Sequence, residues 1–202
     1  MNSRSKKEWE ALFNTQAMLD AYFSFQEHIL ILLLPFSQFN KDEDNITNLI
    51  GSDWTTKFNR IFKPQQNPMV MKFYDYIRGI KELRNKYAHG GFEKKKGSLL
   101  AHVPTLGAIP VELPQHNERG YSMIPIGDVD FTKICKVFDE FDMHLQNSEW
   151  SRAIRILEAG IDIRYDGEFM EQLNIATQSD ESLNSFLQIE SDEYARNANM
   201  DW

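Results

Sequence analysis

The six residues Arg84-Asn85-Lys86-Tyr87-Ala88-His89 combine side-chain types that could serve proton transfer and anion binding. Histidine titrates near neutrality and can therefore both take and give a proton under ordinary conditions. Arginine is permanently charged and useless as a base, but its planar fork suits clamping a phosphate and stabilising charge that builds on its oxygens. Asn85 adds an amide that can orient such a group. On a helix, Asn85 and His89 are four residues apart and share a face. Arg84 is rotated away and must reach round on its long side chain, with small Ala88 leaving it room. One helix therefore supplies an incomplete site. The purely structural alternative is that basic residues in a last helical turn complement the helix dipole, worth about 0.3 to 1 kcal/mol.

The surroundings are cationic. Lys81, Arg84, Lys86, Lys94, Lys95 and Lys96 face only Glu82 and Glu93 between positions 81 and 96, enough for a local phosphate-attracting patch. The formal net charge of -8 does not argue against this, because the acidity is unevenly placed. Residues 161–202 hold ten acids and two bases; removing these from 30 acids and 22 bases leaves 20 of each in residues 1–160. The body is balanced and the C-terminal stretch carries the excess, which suggests a tail able to shield a basic site.

Other candidates for chemistry are weaker. Cys135 is the single cysteine, so no disulfide or thiolate metal cage can form within one chain. His102, His116 and His144 lack the paired spacing of a zinc site, and the acidic stretch from Asn40 to Asn45 lacks the glycine and spacing of a calcium loop. Glu93-Lys94-Lys95 echoes part of a metal-dependent nuclease signature without a placed acidic partner. No metal and no cofactor are expected. Glu27 and His28 are expected to make a polar contact inside a helical bundle, and Tyr74, Tyr76 and Tyr87 to be core rather than base-stacking residues. The longest apolar run, Ile29 to Leu34, ends at Pro35 and is far short of the roughly 20 residues a membrane span needs. The charged start leads into Glu8-Trp9-Glu10 rather than an apolar leader, so a cytoplasmic protein is expected.

These residues must be positioned by helices. Apolar residues recur at helical spacing from Trp9 to Leu34, and Asp53 caps a short second helix carrying Trp54, Phe58, Ile61 and Phe62 that Pro64 terminates. After Pro68 the stripe Met69, Phe73, Tyr76, Ile77, Ile80, Leu83 and Tyr87 predicts a third helix ending at His89, with Gly90-Gly91 as its stop. Prolines and glycines then punctuate extended-looking runs, read as a small β-hairpin insertion over about residues 91–128. Asp130 is expected to cap a fourth helix with Phe131, Ile134, Cys135, Phe138, Phe141 and Leu145 on one face. A further helix around Trp150, Ala153, Ile154 and Leu157 follows. Residues 161–165 read as strand or extended chain, and the segment from Gln178 onward either docks or frays.

The string Leu-Arg-Asn-Lys-Tyr-Ala-His-Gly, late in a third helix, resembles the HEPN superfamily, whose ribonuclease members carry an Arg-x4-6-His motif. Arg84, Asn85 and His89 match that motif, and the order of elements agrees from about Trp9 to Leu145. The resemblance implies a mainly α fold. Four core helices would form a HEPN-like bundle over residues 1–147, with the β-rich insertion between the third and fourth and a helical extension with acidic tail over 148–202. It further implies a homodimer in which two motifs face one cleft. The implied reaction is metal-independent RNA cleavage, with Arg84, Asn85 and His89 catalytic and Lys81, Lys86 and Lys94 to Lys96 binding RNA. The setting would be a toxin-antitoxin or phage-defence effector held silent by an antitoxin or other inhibitory partner. In one branch of the family a tyrosine two positions after the histidine takes up a nucleotide; Gly91 stands there, so that control is not carried over. The rival expectation is a non-catalytic HEPN module binding RNA, a nucleotide or a protein.

Overall fold

The structure, a computed structural model, describes residues 3–40, 44–88, 98–103, 107–112 and 128–200, and its class is mainly helical. Helix α1, Ser3–Leu32, runs without an interior proline and gives way to a single 3-10 turn at Leu34–Phe36 that accommodates Pro35. A short α2, Ile46–Ile50, follows; the Asn45 side chain caps it by accepting from the Asn48 N–H at 2.9 Å. Asp53 caps α3, Trp54–Phe62, by the same device, accepting from the Thr56 N–H at 2.8 Å. Lys63, with φ of 45°, ends that helix in the left-handed region before Pro64.

Helix α4, Pro68–Ala88, begins with proline at its first position, where the missing N–H costs nothing. Its buried face is Val70, Phe73, Tyr74, Ile77 and Ile80. Met69 and Tyr76, expected on the apolar stripe, are each 52% exposed. They lie on one flank of the helix, about 100° from the direction of Ile77, and the core does not extend that far round. Strands β1, Ser98–Val103, and β2, Gly107–Glu112, pair antiparallel with Leu100 opposite Pro110. The rest of the expected insertion, 91–97, 104–106 and 113–127, lies outside the described residues, as do His102's side chain and His116.

Helix α5, Asp128–Asn147, starts two residues before the expected cap at Asp130. Helix α6, Ser151–Glu158, ends at Gly160, whose φ of +74° favours a residue without a Cβ. Residues 161–165 take no regular structure. Helix α7, Gly167–Ala176, was not anticipated, although Asp166 caps it by accepting from the Phe169 N–H at 2.9 Å. The acidic end does not fray: it forms α8, Asp180–Met200, with Leu183 and Phe186 buried.

The chain divides into two compact units, residues 1–26 with 67–138 and residues 27–66 with 139–202. Residues beyond 147 share a core with residues 27–66, Trp150 meeting Phe62 and the cluster around Ile156 meeting Phe36. In the first unit, α1 contributes Leu12, Leu19 and Phe23, α4 the face named above, and α5 Ile134 and Phe138. Tyr22 and Phe138 stack there with centroids 3.6 Å apart and planes at 15°. In the second unit, Trp54 and Phe58 are fully buried, Phe62 meets Phe141 and Trp150, and Ile156, Phe169, Leu173, Ala176, Leu183 and Phe186 form a contiguous cluster. Full burial of side chains of this size is worth roughly 1.5–3 kcal/mol each before ordering costs. Among the described residues no helix is long and apolar enough to cross a membrane.

Candidate functional site

Arg84 lies seven residues after the fully buried Ile77, almost two turns on and within about 20° of the same direction. The residue therefore leaves α4 on the side of that helix that packs within the first unit. Its side chain is half-buried. It meets α1, whose buried residues Leu12, Leu19 and Phe23 fix the rotation of that helix and so place Asp20 beside the fully buried Leu19. Arg84 Nε donates to Asp20 Oδ1 at 2.5 Å, and Arg84 Nη1 donates to Asn85 Oδ1 at 3.1 Å.

A guanidinium carries five N–H donors. One goes to Asp20 and one to Asn85, which leaves three with no partner among the described residues. The Asp20 carboxylate sits on the edge that Nε shares with one Nη2 N–H, so the outward Nη2 N–H and the second Nη1 N–H are the donors left to address an oxyanion. Asn85 is oriented by giving its carbonyl oxygen to Arg84, so its amide nitrogen remains as a donor. The structure therefore brings Arg84 and Asn85 together and adds Asp20, which the sequence reading missed. The only local signal was an acid next to a core leucine in the first helix.

His89 lies outside the described residues, as do Lys94, Lys95 and Lys96; Lys86 is in α4 with its side chain outside them. Lys81 is half-buried on α4. The same helix presents Tyr76 to solvent with Lys72 Nζ 5.9 Å from its ring centroid, so Tyr76 is a surface aromatic rather than a core one. Tyr74 is buried as expected, with the Arg78 guanidinium 5.8 Å from its ring centroid.

Of Glu27 and His28, expected to make a polar contact inside the bundle, only Glu27 does so. Glu27 Oε2 accepts from Lys57 Nζ at 2.6 Å in the second unit, where Lys57 is only 4% exposed, while His28 is exposed. No group of three or more His, Cys, Asp or Glu side chains among the described residues could hold a metal ion.

Comparison with known proteins gives no matching family model, no matching curated protein and no matching solved structure.

Proposed function

We propose that the protein is a metal-independent endoribonuclease built on a HEPN-like helical bundle, acting as a homodimer, and serving as a toxin or defence effector. The observation that supports this most is the state of Arg84. Its cation is half-buried near the end of α4, held in one orientation by Asp20 and Asn85, with donors left over. A partly exposed ion pair of this kind contributes only about 0.2–1 kcal/mol to stability, so fixing the direction of a cation is its more consequential effect.

In this reading the ribose 2′-hydroxyl attacks the adjacent phosphorus, the bond to the 5′-oxygen breaks, and a cyclic phosphate remains. The reaction is thereby restricted to RNA. Arg84 holds a non-bridging oxygen and stabilises the charge that develops on it. Asn85 donates its amide to the same phosphate. His89, whose part in this rests on the sequence motif, moves the proton of the attacking or leaving oxygen. A single motif offers one cation and one imidazole, whereas the reaction needs a base and an acid on opposite sides of phosphorus; a second copy supplies the other. The lysines at 81, 86 and 94 to 96 attract the polyanion before chemistry.

One observation favours a second reading, a non-catalytic module that binds RNA, a nucleotide or a protein partner: the Asp20 carboxylate cancels the charge of Arg84, as a purely structural pair would. Incubation of the purified protein with single-stranded and structured RNA in EDTA separates the two. Cleavage that Arg84→Ala and His89→Ala abolish, with folding and self-association retained, is the expected result. Binding without cleavage, indifferent to His89→Ala, replaces the proposal with the second reading.

A further inference from the structure

The second unit carries a surface that no part of the ribonuclease reading uses. Helices α7 and α8 pack through Phe169, Leu173, Ala176, Leu183 and Phe186, and beside that core they leave an open groove of about 860 Å³. That space is enough for several side chains rather than a few waters. Its apolar lining includes Ile175 and Ile189, which are 51% and 59% exposed. Among the described residues its rim is acidic: Glu181, Glu190 and Glu193 are joined by Asp166 and Glu168, against one cation, Arg164. That cation is already placed 4.4 Å from the Phe169 ring centroid.

Helix α8 continues past the groove as a solvent-facing segment. Residues 191–199 are exposed at every position, and the side-chain hydrogen bonds there are local ones, Gln188 to Asp192, Arg196 to the Asp192 carbonyl and Asn199 to the Ala195 carbonyl. A helical extension polar all round gains little from tertiary burial, which is where most helical stability in proteins arises. The groove and the extension lie on the same helix, and together they offer apolar anchor points framed by carboxylates.

We infer that this groove docks a basic amphipathic helix of a partner polypeptide, its apolar face seated on Ile175 and Ile189 and its lysines or arginines facing the acidic rim. Charge selects the partner: between positions 161 and 202 the chain has ten acids and two bases, so a second copy of this surface would be repelled and a nucleic acid more so. Apolar residues at helical spacing on the partner would fill the groove in the manner of other helix-in-groove complexes. The inference concerns the second unit alone and is independent of whether Arg84 and His89 cleave RNA.

The test uses the full-length protein and a labelled leucine–lysine peptide with its leucines on one helical face. Controls are a peptide of the same composition with leucines scattered round the helix and a leucine–glutamate peptide. Saturable one-to-one binding of the first peptide alone is expected. Ile175→Lys with Ile189→Lys should weaken it at least tenfold, and Glu190→Gln with Glu193→Gln should weaken it and flatten its salt dependence; melting temperatures report whether each variant is folded. Because the four positions are mostly exposed, either pair of substitutions suffices if the other misfolds. Equal binding of the scattered peptide, unchanged affinity in both variants, or self-association of the wild-type chain that Ile189→Lys abolishes would each overturn the inference.

Discussion

Asp20 and Arg84 stand 64 residues apart in the chain and meet at 2.5 Å, Oδ1 accepting from Nε. The contact ties α1 to α4 at the place where α4 carries its polar motif. Both side chains are partly exposed, 48% and 29%, so the pair is screened and its loss should lower stability by about 1 kcal/mol or less. In the ribonuclease reading its loss should matter more for turnover. Asp20→Ala frees the guanidinium to leave its direction, and a misplacement on the order of 1 Å costs roughly 100-fold in rate. The same substitution removes a negative charge beside the phosphate site and should leave RNA affinity equal or tighter. Single-turnover kinetics with a binding isotherm read the two effects separately. A fall in affinity with turnover unchanged would show that Asp20 does not position Arg84.

The pair between Glu27 and Lys57 has an asymmetric prediction because its members are unequally buried. Lys57 has a side chain 5% exposed and Glu27 one 37% exposed. Glu27→Ala strands a buried ammonium and should cost about 3 kcal/mol, whereas Lys57→Met leaves a carboxylate that water can reach and should cost less than half of that. Chemical denaturation of both variants decides it; equal losses would contradict the burial argument.

Asp44 sets an acid limit. Arg60 donates to both its oxygens, Nε at 2.7 Å to Oδ1, while Nη1 reaches the Ser37 carbonyl at 3.0 Å, so one guanidinium fastens the chain between α1 and α2 to α3. The hydrogen bonds from Arg60 hold the Asp44 carboxyl below its ordinary value of 3.8, against a smaller opposing effect of burial. A depressed carboxyl pKa contributes stability that is present above the unfolded value and is lost as pH falls through the folded one. The contribution should therefore be complete near pH 6 and decay below 3.8. In Asp44→Asn the stability difference from wild type should shrink as pH drops through that range; a difference constant with pH would show that the charge of Asp44 is not what fastens this segment.

Tyr165 gives the opposite limit. Its hydroxyl donates to the Ile31 carbonyl at 2.7 Å, and burial pushes its pKa up from 10.0 to about 12. A raised pKa means stability that is present below 10 and disappears as pH rises through about 12. Tyr165→Phe should remove that alkaline step and, by leaving the carbonyl without its donor, cost about 1 kcal/mol at neutral pH. Ultraviolet titration of the tyrosines alongside far-ultraviolet circular dichroism checks both statements.

Local signals in the sequence carried well. The cap at Asp53 and the stop at Pro64 depend on neighbours within one turn, and the stripe from Phe73 to Ile80 encodes which face of α4 is buried. What periodicity does not encode is how far round a helix the cover reaches, so Met69 and Tyr76 were assigned to the core and lie in solvent. Helix α7 has a cap at Asp166 and an i, i+4, i+7 pattern in Phe169, Leu173 and Ala176, but ten residues with one aromatic make a faint stripe. The partners of Arg84 and Glu27 were illegible for a different reason. Ion pairs spanning 64 and 30 residues leave no trace in local spacing, and a pair is specified only once two helices have been rotated into place by their apolar residues.

The central claim is that the Arg84 motif cleaves RNA through the substrate's own 2′-hydroxyl. The most direct measurement compares, in EDTA, an RNA oligonucleotide that the protein cuts with the same oligonucleotide carrying one 2′-deoxyribose immediately 5′ of the scissile phosphate. The expected result is a cyclic phosphate end on the RNA product, no cut at the deoxy position, and no cut of either by Arg84→Ala. Cleavage at the deoxy position, or undiminished cleavage by Arg84→Ala, would contradict it.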